Sequence, residues 1–168
     1  MAITKIHPIT TTLTKALNYI QNPKKTDGTL LVDGYGCVPE TAYQQFMRTK
    51  EKVDKINGNL AFHLIQSFSP GEVDYETAHK IGIELADKVF RGKFQYVIAT
   101  HIDRGNVHNH IIANSVSFKD YKKFHSTAST LRYIRRTNDM LCTEYGLSVV
   151  AEPKDKGKSH YEHSLDKK

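Results

Sequence analysis

Three histidines and a carboxylate lie close together in the middle of the chain. They are His101, Asp103, His108 and His110. Residues two apart on a β-strand point to the same face, so His108 and His110 share a face, and so do His101 and Asp103. Three neutral imidazoles can ligate a divalent metal ion while leaving its charge uncancelled and some coordination positions open. The pattern predicts a catalytic metal site, provided that two neighbouring strands bring the three rings to one face.

The register between the two strands decides whether the rings converge. A two-residue loop at positions 104 and 105 sets His101 opposite His108 and Asp103 opposite Asn106, with His110 as a diagonal neighbour. Directly opposed Cβ atoms are ~5 Å apart and diagonal ones ~7–8 Å, within reach of one ion. A loop at positions 105 and 106 serves equally well, whereas an odd-numbered loop without a bulge would send His101 to the other face.

Two of these residues also have simpler interpretations. An isolated pair of histidines on one strand face is more often half-buried and polar than metal-binding, and the third histidine in register favours the metal site. Asp103 is expected either to accept a ring N–H and fix a histidine tautomer, or to be a turn residue.

Apolar periodicity and turn residues divide the chain into helices and strands. Strands are predicted at Ala2–His7, Leu60–Phe68, Phe94–Asp103 and Val107–Phe118, with a short hairpin within Gly28–Cys37 and a last strand at Leu147–Val150. Helices are predicted at Thr12–Gln21, Pro39–Ile56, Tyr75–Phe90 and Thr127–Tyr145, the third of them capped by Asp74. The two longest strands are joined too tightly for a crossover and must be antiparallel. The expected fold is α+β, a central antiparallel β-sheet flanked by helices.

Composition limits the class of protein. The 168 residues, 39% of them hydrophobic, suit one domain, which we place at residues 1–150; the polar residues 151–168 read as a linker or tail that leads to further domains. The formal charge of +6 favours polyanions such as nucleic acid. The sequence lacks a signal-type apolar region and a membrane-length apolar run, so a cytoplasmic protein without membrane insertion is expected. Two cysteines are too few for a disulfide framework.

Several segments resemble known proteins. The histidine segment resembles the H-x-D-x-x-x-x-H-x-H motif of conjugative relaxases in the HUH endonuclease superfamily, except that Asn109 occupies a position that is usually hydrophobic. The segment from Ala16 to Thr26, which contains Tyr19, resembles the nucleophile motif of MOBP-type relaxases. Further segments resemble the mobilisation-nuclease domains of Firmicutes elements, so that the similarity covers roughly residues 2–150: Phe62–Phe68, Glu76–Ala86 and Arg135–Val150.

This resemblance implies a metal-dependent DNA-nicking enzyme. His101, His108 and His110 would bind a divalent ion, with Mg²⁺ or Mn²⁺ expected in function. Tyr19 would attack a phosphodiester at an origin of transfer and form a covalent 5′-phosphotyrosyl adduct, with Asp103 or His101 assisting proton transfer. The implied partners are single-stranded origin-of-transfer DNA and, through regions beyond this domain, relaxosome accessory proteins and a coupling protein.

Basic and polar side chains near these motifs are candidates for DNA contacts, although any single one is as easily a solvated surface residue. The candidates are Lys24, Lys25, Ser67, Arg132, Arg135 and Arg136. His63 is expected to be either a DNA contact in the same strand as Ser67 or a core histidine.

Three other functions fit parts of the pattern. A rolling-circle replication initiator would use a tyrosine on a helix that follows the histidines, and Tyr133 has that position. A three-histidine metal enzyme acting on a small molecule would need an enclosed apolar pocket and no tyrosine. A non-catalytic DNA adaptor would bind DNA without forming an adduct.

Overall fold

The centre of the protein is an antiparallel β-sheet. The computed structural model describes residues 2–28, 30–54, 57–103 and 105–149. Within them the strands are β1 (Ile3–Ile9), β2 (Val32–Tyr35), β3 (Ala61–Ser67), β4 (Tyr96–His101) and β5 (His108–Asn114). Their order across the sheet is β1-β3-β5-β4-β2, and every neighbouring pair is antiparallel. The helices are α1 (Leu13–Ile20), α2 (Pro23–Thr26), α3 (Ala42–Glu51), α4 (Tyr75–Phe90) and α5 (Ala128–Glu144). The predicted α+β class is confirmed.

One face of the sheet, which we call the back face, carries Leu64, Ile98 and Ile111 and is covered by α4 and α5. Helix α4 begins at the predicted residue because the side chain of Asp74 accepts a hydrogen bond from the backbone N–H of Thr77 at 2.8 Å. Its apolar stripe, predicted from the sequence, is buried against the sheet. The back face therefore holds the larger of the two apolar cores.

The opposite face, which we call the front face, carries the three histidines and is only partly covered. Helix α1 buries Leu13, Leu17 and Ile20 on it, and α3 adds Phe46. These side chains pack over the part of the sheet formed by Val97, Ala99 and Ile112. The part of the front face near the end of β4 and the start of β5 lies open as a cleft.

Some predicted bounds differ from the structure. The helix predicted to run from Pro39 is a 3₁₀ turn at Pro39–Thr41 followed by α3, and its predicted end at Ile56 lies outside the described residues. Residues 147–149 of the predicted last strand are not in a strand; Gly146 has φ of 72°, and the N–H of Leu147 turns back to the carbonyl of Cys142. The predicted tail lies outside the described residues.

Among the helices that the structure describes, none has the length and apolar character that a membrane span requires.

Candidate active site

The open part of the front face forms a cleft of about 390 Å³. Its walls come from the ends of β1, β3, β4 and β5 and from the segment that follows α1. The lining residues are Ile3, Lys5, Tyr19, Lys25, Ile65, Ser67, His101, Asp103, Asn106, His108 and His110. The structure thus brings together the three histidines with Tyr19, Asp103, Lys25 and Ser67.

The register of β4 and β5 places the three histidines on one face. His101 is paired with His108, and Ala99 is paired with His110, so His110 is the diagonal neighbour of His101. This is the register that the sequence predicts. The predicted length of the loop, two residues, was wrong. Strand β4 ends at His101 and β5 begins at His108, so six residues, 102–107, lie between them. Because six is an even number, His101 still lies on the same face of the sheet as His108 and His110.

The hairpin loop is longer because its hydrogen bonds go to other elements. The N–H of Ile102 donates to the carbonyl of Lys25 at 2.7 Å, and Asn106 Nδ2 donates to Ser67 Oγ at 2.9 Å. The carbonyl of Val107 accepts from the N–H of Phe68. Asp103 and Asn106 are consequently loop residues instead of the predicted cross-strand pair, and Arg104 lies outside the described residues.

The three rings form a compact group. Ring centroids are 4.2 Å apart for His101 and His110, 5.8 Å for His108 and His110, and 6.3 Å for His101 and His108. Among the described residues, no group of three or more His, Cys, Asp or Glu side chains has the geometry of a metal site as the side chains stand.

The chemistry of the donor set nevertheless fits an ion. His101 Nε2 lies 2.9 Å from the carbonyl of Ile20, which can only accept, so the neutral ring has its lone pair on Nδ1. His110 Nδ1 lies 2.9 Å from His63 Nε2, which leaves Nε2 of His110 as the nitrogen for an ion. A hydrogen bond on one ring nitrogen that orients the other is the usual arrangement of metal-ligating histidines.

Burial keeps these imidazoles neutral. Burial, followed by the proximity of His101 and His63, lowers the pKa of His110 to about 2. Burial is also the main cause that lowers the pKa of His63 to about 3 and the pKa of His101 below its ordinary value. At neutral pH the rings therefore carry lone pairs and no positive charge, which is the state that binds metal ions.

Tyr19 lies beside the histidines. It occupies the last turn of α1, with its neighbours Leu17 and Ile20 buried, and is itself 48% exposed. Its ring centroid is 5.7 Å from that of His101 and 6.3 Å from that of His110, in edge-on geometry. The carbonyl of Ile20, the residue after Tyr19, is the one that contacts His101. The helix end that carries the phenol is thus attached directly to the histidine group.

The rival tyrosine lies elsewhere. Tyr133 is on α5, which packs on the back face, and its hydroxyl donates to the carbonyl of Lys88 on α4. A tyrosine on the back face does not contact the histidines, so the structure gives no support to the rolling-circle alternative that depends on it.

Lys25 connects Tyr19 to Asp103. Its Nζ donates to Asp103 Oδ2 at 2.7 Å and lies 5.4 Å from the centre of the Tyr19 ring. The hydrogen bond from Lys25 is the main cause that lowers the pKa of Asp103 below its usual value. Asn22 positions this lysine, because its side chain caps the short helix α2 by accepting from the N–H of Lys24. Of the two expectations for Asp103, a contact with a histidine ring or a turn residue, the structure has a loop residue whose carboxylate pairs with Lys25.

The other predicted DNA contacts divide into two groups. Ser67 lies in the cleft, whereas Arg132, Arg135 and Arg136 are on α5 and are not brought to it. Lys24 is exposed on α2, next to the cleft residue Lys25.

Strand β1 contributes side chains to the cleft that the sequence motifs did not indicate. His63 contacts His110 and also lies 4.9 Å, ring centre to ring centre, from His7, so it belongs to the surroundings of the histidine group and not to the core. Lys5 and Ile3 line the cleft beside them. Alternation along β1 places Ile3, Lys5 and His7 on one face. This alternation can be read from the sequence. The pairing of β1 with β3 cannot, because it joins segments more than fifty residues apart.

Comparisons with known proteins agree on the family. A family model described as "Relaxase: MobA/VirD2-like, nuclease domain" matches residues 19–147. A protein of Staphylococcus aureus named Protein rlx is 35% identical over 161 residues, which are 96% of this chain and 46% of that protein. The Group II intron-interrupted relaxase LtrB of Lactococcus lactis subsp. cremoris is 31% identical over 191 residues, covering 90% of this chain and 34% of the relative. The chain thus spans less than half the length of these relatives.

A solved structure has the same fold. It is described as "Molecular Basis of Vancomycin Resistance Transfer in Staphylococcus aureus", and the match has a TM-score of 0.60 at 14% identity over 92% of this chain and 99% of the other. The resemblance to relaxases of Firmicutes is confirmed by the named relatives. Since the family model matches more than half of the chain and Protein rlx is 35% identical along nearly all of it, the chain belongs to the family of MobA/VirD2-like relaxase nuclease domains.

Proposed function

We propose that this domain nicks one DNA strand at an origin of transfer and stays joined to the 5′ end of the cut through Tyr19. The observation that carries the proposal is the edge contact of the Tyr19 ring with both His101 and His110 in one open cleft. Family membership supports the same reaction class, because relatives of this domain are named relaxases.

The reaction exchanges one phosphate ester for another. The phenolic oxygen of Tyr19 forms a bond to phosphorus, and the bond from phosphorus to the 3′ oxygen breaks. The phenolic proton is released into the open cleft, and the leaving oxygen takes up a proton to become a 3′-hydroxyl. No water is consumed, so attack by a 3′-hydroxyl on the tyrosyl ester reverses the step and closes a strand.

A divalent cation, Mg²⁺ or Mn²⁺, bound by His101, His108 and His110 would supply positive charge to the phosphate oxygens. Neutral imidazoles suit this role because they leave the charge of the ion uncancelled. A phenol with an ordinary pKa of ~10 is mostly protonated at neutral pH, so the positive charge of the site is important for the attack.

Lys25 and Asp103 would act on the nucleophile as a pair. The ammonium of Lys25 faces the Tyr19 ring, where it would favour the developing phenolate and a bound phosphate. The carboxylate of Asp103 holds that ammonium in place. Its lowered pKa makes it a weak proton acceptor, so we propose that Asp103 contributes by positioning Lys25.

Replacing Lys25 by Met is expected to slow nicking by roughly 10- to 100-fold. This is less than the roughly 10²- to 10³-fold loss on removing a donor that contacts the developing charge directly, because Lys25 Nζ lies 5.4 Å from the centre of the Tyr19 ring. The matched control is Lys24→Met, which removes the same charge from the adjacent exposed position. Single-turnover cleavage of an oligonucleotide at saturating protein measures both. Equal losses in the two variants would show that Lys25 contributes only general attraction for DNA.

The function is tested directly with labelled single-stranded oligonucleotides that span the origin of transfer of the encoding element, incubated with the protein and Mn²⁺. We expect a labelled adduct that survives denaturation, with the DNA attached to the peptide that contains Tyr19. Cleavage without an adduct would indicate hydrolysis. Binding without cleavage would indicate a non-catalytic adaptor, and an adduct on Tyr133 would indicate the rolling-circle type of chemistry.

The cleft also bears on the small-molecule alternative. Such an enzyme needs an enclosed apolar pocket, whereas this cleft has lysines at positions 5 and 25. Cationic side chains beside an exposed phenol suit a polyanionic strand. Relaxosome accessory proteins and a coupling protein are proposed as further partners.

A further inference from the structure

A single polar row crosses the back face of the sheet. It consists of Thr4, Gln66, Asn109 and Thr100, which face one another across β1, β3, β5 and β4. All four side chains are buried. The next row on the same face is Ile6, Leu64, Ile111 and Ile98. One polar row within an apolar face has to be explained, because burying hydrogen-bonding groups opposes folding unless every group finds a partner.

Every member of the row at β3, β5 and β4 has such a partner. Thr100 Oγ1 donates to Asn109 Oδ1 at 2.6 Å. Asn109 Nδ2 donates to Gln66 Oε1 at 2.9 Å and to the carbonyl of Ala78 at 2.7 Å. Gln66 Nε2 donates to Asn138 Oδ1 at 2.7 Å. The chain of hydrogen bonds thus ties three adjacent strands to α4 and α5.

Helix α4 has a glycine, Gly82, where the side chain of Asn109 packs against it. A Cβ added to Gly82 would lie 2.5 Å from Asn109 Nδ2, so the side chain of any other residue would overlap the amide. Glycine in the middle of a helix is unfavourable relative to alanine. The sequence therefore accepts a poor helix former at the point where the amide of Asn109 reaches the helix backbone.

Apolar patterning alone specifies the register of β4 and β5 weakly. Residues 97–99 and 111–113 are apolar and buried on both faces of the sheet. A slip of one strand past the other therefore still sets apolar residues against apolar residues. The six-residue connection does not fix the register as a tight turn would. A slip of β4 would, however, part Thr100 from Asn109, and a slip of β5 would part Asn109 from both Thr100 and Gln66; either leaves buried donors without acceptors.

The histidine site depends on this register. Asn109 lies between His108 and His110, and Thr100 precedes His101, so the polar row on the back face and the histidines on the front face are set by the same pairing. A slip by one residue would move His101 to the other face relative to its partners. A slip by two residues would remove His108 from its position opposite His101.

We propose that Asn109, with Thr100 and Gln66, is a positioning residue that holds β4 and β5 in the register at which the three histidines share one face. The effect on nicking rests on the function proposed above, whereas the effect on strand register does not. Buried polar residues that select one register among similar apolar packings are known from coiled coils.

The test uses Thr100→Val and Asn109→Leu, which remove the hydrogen bonds with little change in side-chain size. Thr100→Ser keeps the hydroxyl, and Ile111→Val perturbs the neighbouring apolar row. Register is read from cross-strand proton contacts of the pairs His101–His108 and Ala99–His110 by NMR. Mn²⁺ affinity is read by calorimetry, and unfolding by denaturant is measured in parallel.

We expect Thr100→Val and Asn109→Leu to fold but to lose the single set of cross-strand contacts and to bind Mn²⁺ roughly 10- to 100-fold more weakly, as loss of supporting groups does at metal sites. Thr100→Ser and Ile111→Val should keep both properties. The proposal is overturned if Thr100→Val, at whatever stability, keeps the wild-type contacts and affinity. Should Asn109→Leu not fold, the comparison of Thr100→Val with Thr100→Ser decides. If the wild type neither nicks nor binds Mn²⁺ while the contacts still change, the proposed function fails and the register inference stands.

Discussion

The Tyr19→Phe variant is expected to form no covalent adduct with origin DNA and to cleave it at least roughly 10³-fold more slowly, because it lacks the phenolic oxygen that we propose attacks phosphorus. Phenylalanine keeps the ring that contacts His101 and His110, so the cleft should retain its packing. The measurement is single-turnover cleavage with Mn²⁺, followed by denaturing electrophoresis of the labelled strand.

The matched control for this variant is Tyr133→Phe, since Tyr133 has a similar exposure of 43% but lies on the back-face helix α5. It should nick and form adducts as the wild type does. Oligonucleotide affinity of the two variants should remain within about threefold of the wild type, because neither loses a cationic side chain. Adducts that persist in Tyr19→Phe and vanish in Tyr133→Phe would reverse the assignment.

His110→Ala is expected to weaken Mn²⁺ binding by more than about 100-fold, since even supporting residues of metal sites contribute ten- to hundredfold. Cleavage should fall in parallel. His110 is the most informative of the proposed ligands to remove because its ring is closer to each of the other two than they are to one another, and the residue is only 9% exposed. Calorimetric titration with Mn²⁺ and the cleavage assay measure the two effects.

An exposed histidine outside the cleft, His125, supplies the control for this variant. His125→Ala should leave both Mn²⁺ affinity and cleavage unchanged. Denaturant unfolding of both variants separates loss of the site from loss of the fold. Wild-type Mn²⁺ affinity in a folded His110→Ala protein would rule out the three-histidine site.

The sequence was most informative where local patterns determine structure. Helix α4 has the predicted bounds, Tyr75–Phe90, because its apolar stripe and its Asp74 cap are both local features. The shared face of the histidines was predicted on the condition that the loop is even, and the register of β4 and β5 meets that condition. Tyr19 was found through its motif, and the structure places it beside those histidines.

The sequence was least informative about which helix covers which face of the sheet and about contacts between distant segments. The charges of Arg132, Arg135 and Arg136 do not reveal that α5 covers the back face, so their prediction as DNA contacts has no support from the cleft geometry. The length of the hairpin loop was mispredicted because Ile102 and Asn106 bond to segments far away in the chain. Such long-range contacts depend on the whole fold, and the residue pattern within one strand does not predict them.

The backbone that follows Tyr19 is anchored to the sheet at two points. The carbonyl of Ile20 contacts His101, and the carbonyl of Lys25 accepts from the N–H of Ile102, so two attachments to the end of β4 follow the phenol within the next six residues. With a DNA end esterified to Tyr19, tension along the strand would pass into the sheet and would not unwind the end of α1. If Tyr19 carries the DNA end as proposed, these attachments let the domain bear a mechanical load at that residue.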